Sequence, residues 1–203
     1  VTSKSTFPMV MINLSRTFFN KKKQVNKMNI FFLSMNPEEL AYMYCDQHVI
    51  KILLEICQMM YTAWFFSNET DYVSEHAPFN KNKTSRGYKP AHKGHPMTMW
   101  ISSSLENYLF AGEIAMALAL EYNKRFGKMH ACAKHALWLY KNIPKHFELR
   151  ESEKAYYATE DVKSELTRIP ECMPDEYKDP SIIKSYKKYY AGDKLKFARF
   201  TRV

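Results

Sequence analysis

Little in the chain would staple or interrupt it: there are four cysteines, five glycines and nine prolines in 203 residues. Thiols at 45, 57, 132 and 172 are too sparse for a disulfide framework, and a chain this long can build its own core. They are read as reduced and the compartment as intracellular. The low glycine and proline counts exclude collagen-like and low-complexity chains. No apolar run nears the roughly 18 residues of a membrane span; the longest candidates are Met59–Phe66 and Ile114–Leu120. No membrane partner is therefore expected. A glycine-rich phosphate loop, G-x-S-x-G, H-E-x-x-H and paired C-x-x-C are all missing, so nucleotide hydrolysis and triad chemistry lack support. No cofactor is expected.

What is present is a core and an uneven charge. Hydrophobic residues make up 46% and aromatics 15% of the chain, enough for one globular domain. The net charge is +9, but residues 1–27 hold six Lys/Arg and no acid, and residues 176–203 hold eight against three acids. The body, 28–175, has 16 basic against 18 acidic residues. Within it, 81–93 is an acid-free polar loop containing Lys81, Lys83, Arg86, Lys89 and Lys93. Termini of this kind are commonly just solvated. With Tyr and Phe interleaved, the same charges suit a polyphosphate, and a nucleic acid is the expected partner, DNA or RNA. Residues 1–27 read as a basic N-terminal extension, whether a transit-like segment, an upstream leader or an arm; 28–203 reads as the helical domain.

Local signals organise that domain. Met28–Met35 is short, apolar and bounded by Asn-Pro, a segment that can run extended into the core. Asn36-Pro37-Glu38-Glu39 combines a cap, a first-turn proline and two acids, and predicts a helix over 37–66. After a loop over 68–98, further helices are expected at 102–126 (Lys124 and Arg125 before a Gly127 stop), 129–142 and 150–167. A fifth runs from Asp179-Pro180 to about Gly192. The fold class is mostly α, a compact single-domain bundle of about five helices with a short extended N-terminal segment.

Three constellations carry possible chemistry. His48 and Glu55, following Asp46-Gln47, are seven residues apart, about 700° and 10 Å along one helical stripe. A carboxylate and an imidazole so placed can flank a substrate; the plainer reading is a solvated face, with Lys51 pairing to Glu55. Cys45-x-x-His48, His92-x-x-His95 and His130-x-Cys132-x-x-His135 have ligand-like spacing, yet Cys132 between alanines fits a small buried thiol better, and no metal is expected. In Tyr186–Lys194, alternating tyrosines and lysines can stack bases and pair with phosphates. A helical reading instead buries Ile182, Ile183, Tyr186 and Tyr190 and leaves the lysines in water.

Taken in order, these stretches resemble the phage-type pyrimidine-dimer DNA glycosylases with abasic lyase activity, the endonuclease V of phage. The motifs carrying the resemblance are Asp46-Gln47-His48 with Glu55, Gly94-His95, the Glu121…Lys124-Arg125-x-Gly127 helix end, and Tyr186–Lys194. The similarity spans about 28–198. The chain also resembles phage and large-virus proteins that begin Met-Asn-Ile and carry a stretch like Met173-Pro174-Asp175-Glu176-Tyr177, so a phage- or virus-infected cell is the implied setting. The resemblance implies a helical enzyme that displaces a base and attacks the sugar C1′ with an amine to form an imine. It makes Glu55 the catalytic carboxylate and His48 and Gln47 orienting groups. Lys89, Lys93, His95, Lys124, Arg125, Tyr186, Lys187, Lys188, Tyr189 and Lys194 would then face the nucleic acid. Two departures stand out. Leu54 and Gln58 occupy the positions of the family's flanking arginines, and the attacking α-amine has no counterpart, Val1 lying 27 residues before Met28. The alternative reading is a non-enzymatic nucleic-acid-binding or ribonucleoprotein component.

Overall fold

The computed structural model describes residues 28–150 and 166–201. The basic extension, 1–27, and nearly all of the helix expected at 150–167 lie outside them. The described residues are mostly helical and contain no β-strand, only an isolated bridge between Phe79 and Arg86. They form seven α-helices: α1 Pro37–Met43, α2 Asp46–Phe66, α3 Thr70–His76, α4 Pro96–Ile101, α5 Leu105–Phe126, α6 Ala133–Lys141 and α7 Ile182–Tyr189. The all-α expectation holds; the count of about five does not, because the helix expected at 37–66 is broken into α1 and α2, α3 lies within the expected loop, and α4 precedes the helix expected at 102–126.

The long helices α2 and α5 form the central pair, with α1 and α6 packed on α5 and α4 on α2. By length and composition α2 could cross a membrane, but about two thirds of its apolar window is buried within the protein, as in a core helix. The start of α1 follows its sequence: the Asn36 side chain accepts from the amides of Glu38 and Glu39, both at 3.0 Å, and Pro37 occupies the first turn. The chain then leaves the helix at Tyr44 (φ −69°, ψ 144°) and Cys45 instead of running on to Phe66. Arg125 explains the break. Its guanidinium, brought by α5, donates to the carbonyls of Ala41 (3.3 Å), Tyr42 (2.9 Å) and Tyr44 (2.8 Å), satisfying the end of α1. The same group bonds Glu121 at 2.6 Å and Asp46 at 3.0 Å, so all five of its N–H groups are taken.

Residues 102–104 separate α4 from α5, whose cap Ser104 accepts from Asn107 N–H. The expected stop of α5 is observed, with Gly127 in the left-handed region at φ +64°. Where α6 crosses α5, Gly112 lets Tyr140 approach so closely that an added Cβ would lie 2.9 Å from its ring. The 28–33 segment enters the core without regular structure, Ile30 and Phe32 being fully buried. Each such side chain contributes about 1.5–3 kcal/mol on burial. Its backbone is held by a side chain: the Tyr44 hydroxyl accepts from Phe31 N–H (2.8 Å) and donates to Phe31 C=O (2.9 Å).

Candidate functional site

The solvent-facing stripe of α2 carries Gln47, Lys51 and Gln58, with His48, Glu55 and Thr62 along its edge. Two other segments close on that edge. At one end, the π-turn over Tyr190–Lys194 that follows α7 meets His48. At the other, loop 89–95 is tied down where Ala91 N–H donates to Thr62 Oγ1 (3.1 Å) and Thr62 returns a bond to Ala91 C=O (3.2 Å).

Glu55 sits between them, only 6% exposed. Its Oε2 accepts the backbone N–H of Asn29 at 3.3 Å, and its Oε1 lies 3.4 Å from Lys51 Nζ. Burial raises the carboxyl above its ordinary value, opposed by the charges of Lys51 and His92 and the Asn29 bond. Asn29 is fixed in turn, its amide donating to Cys172 C=O at 2.9 Å and its Oδ1 accepting from the Tyr186 hydroxyl at 3.4 Å. Behind this buried carboxyl, whose pKa is raised, lies a braced wall. That is the environment of a carboxyl that exchanges protons or stabilises a developing cation.

His48 stays neutral. Its pKa falls to about 4, chiefly from burial and then from Lys194 and Lys51. Nδ1 is 2.7 Å from the Tyr190 hydroxyl, which also accepts from Cys45 N–H at 2.9 Å. The hydroxyl proton is assigned to the bond with Nδ1 and the ring proton to Nε2. Phe31 joins the segments, its ring 5.0 Å from His48, 5.2 Å from Tyr190 and 5.8 Å from Tyr189. Lys194 Nζ lies 4.6 Å over Tyr189 and 5.9 Å over Phe31. The π-turn allows this return. At Gly192 a Cβ would lie 2.8 Å from the Tyr177 ring, and Tyr177 in turn donates to Asp193 at 3.1 Å.

Of the residues expected on the nucleic acid, Tyr189 and Lys194 lie against Phe31 beside His48, and Lys93 joins the other end, lying 3.4 Å over Phe65 of α2. His92, which the charge pattern did not single out, is the loop residue acting on Glu55, with left-handed backbone at φ +51°. His95 is used as a cap, its Nδ1 accepting from Met97 N–H at 3.2 Å. Lys89, Lys124 and Lys187 are exposed, and Lys188 is ion-paired with Asp179 at 2.8 Å. Gln47 is exposed in a separate open groove with Asp46, Ile50, Phe126 and Arg199.

Two residues need correction. Arg125 is buried with every donor engaged, so no N–H remains for a phosphate. Tyr186 is fully buried, its hydroxyl donating to Pro170 C=O at 2.7 Å, so it supports Asn29 and stacks on no base. The helical reading of Tyr186–Lys194 thus describes Tyr186, Tyr190 and the exposed lysines, whereas Tyr189 and Lys194 fit the surface reading. Asn29, Lys51 and Tyr190 are the positions whose importance spacing understated; Tyr190 reaches His48 across 142 residues.

The other thiol-bearing cluster lies on the opposite side of α2. There Cys57 and Cys132 are both buried, and the Tyr88 hydroxyl is 3.2 Å from Cys132 Sγ. A hydrogen bond from Cys57 lowers the Cys132 thiol while raising its own. No three His, Cys, Asp or Glu side chains converge as metal ligands among the described residues. Compared with protein-family models, curated proteins and solved structures, the chain matches none, and what the site does rests on its own geometry.

Proposed function

We propose that the protein is a DNA glycosylase-like repair or modification enzyme of the pyrimidine-dimer glycosylase and abasic lyase type, with Glu55 as its catalytic carboxylate. The observation that carries this reading is the buried Glu55 carboxyl, braced by Asn29 and Lys51 and bordered by cations from separate segments. Cleaving a glycosidic bond builds positive charge on the sugar, and a preorganised carboxylate in a dry site stabilises it. Lys93 and Lys194 supply phosphate partners along the stripe, and the half-buried Tyr189 offers a face for a displaced base. His48, neutral and locked by Tyr190, is an orienting group with no proton to give near neutral pH.

The test is strand cleavage at an abasic site in duplex DNA by the wild type and Glu55→Gln. The variant should bind DNA normally and cleave about 10²–10⁴-fold more slowly. Equal cleavage by the two proteins would remove Glu55 from the chemistry. The exposure of Lys89, Lys124 and Lys187 favours a second reading, a non-enzymatic nucleic-acid-binding component. Both readings give affinity that falls with salt; only the enzyme gives cleavage that depends on Glu55.

A further inference from the structure

Resting on the abasic-lyase reading above, we infer that the ε-amine of Lys51 is the nucleophile of this site, attacking C1′ of an abasic deoxyribose to form an imine while Glu55 handles the protons. Such a reaction needs a primary amine in contact with a carboxyl group and open to solvent. Among the described residues, two nitrogens are bonded or ion-paired to the Glu55 carboxyl. Asn29 N, at 3.3 Å, is a peptide nitrogen whose lone pair is delocalised into the Met28 carbonyl, so it can donate a hydrogen bond but cannot attack. Lys51 Nζ, at 3.4 Å from Oε1, is a primary amine.

Its placement suits the task. One turn of α2 fixes Lys51 before Glu55, and the lysine side chain is 45% exposed where the glutamate is 8% exposed. An aldehyde arriving from solvent therefore meets the amine first, with the carboxyl behind it against the braced wall. Lys194 lies toward the His48 end of the stripe and Lys93 toward the other, so phosphates on either side of a reacting sugar find partners. Two other lysines are engaged elsewhere: Lys188 pairs with Asp179 at 2.8 Å and Lys178 with Asp175 at 2.7 Å.

The steps balance without a cofactor. A proton first passes from the Lys51 ammonium to the Glu55 carboxylate across their ion pair; the freed lone pair forms the N–C1′ bond, the carbonyl π pair moves to oxygen, and a second nitrogen proton passes to that oxygen. The Glu55 carboxylic acid then gives the proton with which the hydroxyl departs as water, leaving a C1′=N iminium and a carboxylate. That carboxylate removes a C2′ proton; the C–H pair becomes the C1′–C2′ π bond as the iminium π pair returns to nitrogen. Collapse of the enamine expels the 3′-phosphate with the C3′–O pair, and water hydrolyses the imine to release Lys51.

The experiment uses the full chain with duplex DNA carrying an abasic site, trapped with borohydride, and maps the cross-linked residue by peptide mass spectrometry. Lys51→Arg keeps the charge but cannot form an imine. It should melt like the wild type and bind a tetrahydrofuran abasic analogue within about twofold, yet trap at least about tenfold less, and the wild-type adduct should map to Lys51. An adduct on any other amine, including an α-amine or Lys187, or undiminished trapping by Lys51→Arg, overturns the role of Lys51 and leaves the lyase reading standing. Failure of the wild type to form any adduct or cleave the strand overturns both.

Discussion

Replacing Arg125 separates support of the fold from contact with a nucleic acid. Its side chain is 1% exposed and holds two carboxylates, Glu121 at 2.6 Å and Asp46 at 3.0 Å, besides three carbonyls at the end of α1. Arg125→Met would leave those acceptors beside an apolar group. Breaking a buried ion pair from one side costs about 3–5 kcal/mol, which at about 2–4 °C per kcal/mol for a domain of this size lowers Tm by about 6–20 °C. Arg125→Lys keeps the charge but offers three donors in a point geometry, so about 2 kcal/mol should be lost. Lys124, the exposed neighbour, is the control: Lys124→Met should stay within about 0.5 kcal/mol in urea unfolding. Measured on folded protein well below Tm, DNA affinity should be unchanged in Arg125→Lys. If Arg125→Met cost less than about 1 kcal/mol, or if Arg125→Lys melted normally while binding DNA poorly, the side chain would be a nucleic-acid contact after all.

Acid should destabilise the protein through His48. Its folded pKa of about 4 lies below the ordinary 6.5, so the unfolded chain binds the proton first, and stability present above pH 6.5 is lost as pH falls toward 4. The depressed pKa values of His135 and His146 act in the same direction, while burial of Glu55, which raises its carboxyl, opposes them. Discounted for partial exposure, His48 accounts for about 2 kcal/mol of that loss, and His48→Gln should flatten the pH dependence of urea midpoints accordingly; an unchanged slope would show that His48 titrates normally. Tyr190→Phe removes the acceptor of Cys45 N–H and the donor to His48, and should cost about 1–3 kcal/mol while raising the His48 pKa observed by NMR. Gly87 and Gly127 both have positive φ, but only at Gly87 would a Cβ collide, 2.6 Å from Val73 and 3.0 Å from Tyr61. Gly127→Ala should therefore cost about 1–2 kcal/mol and Gly87→Ala clearly more; equal melting temperatures would contradict the packing described for Gly87.

Signals confined to two helical turns were legible in the sequence. The Asn36 cap, the Gly127 stop and the common edge of His48 and Glu55 depend on neighbours within seven residues, and each appears in the fold. The break at Tyr44 and Cys45 was not legible, because its cause sits 81 residues away in Arg125. Lys124 and Arg125 show the limit most sharply. They are adjacent and alike in charge, yet 100° of helical rotation puts one in water and the other under α1. The same rotation divides Tyr186, facing the core, from exposed Lys187 and Lys188. At the candidate site, spacing placed Glu55 on a polar stripe but could not tell that Asn29 and loop 89–95 would enclose it. Helix α3 was hidden because a seven-residue helix with one buried side chain, Val73, has too little apolar periodicity to stand out.

The phenol of Tyr44 plays the part of an absent neighbouring strand, offering Phe31 both a donor and an acceptor. In a sheet, such pairing is shared along a ladder and survives the loss of any single side chain. Here it is concentrated in one ring, so the exposure of the Phe31 amide to solvent deuterium is governed by that ring's excursions. A perturbation that loosens Tyr44 would be felt two residues along, at the Asn29 amide resting on the Glu55 carboxyl, giving the protein's interior a direct mechanical line to its most reactive-looking acid.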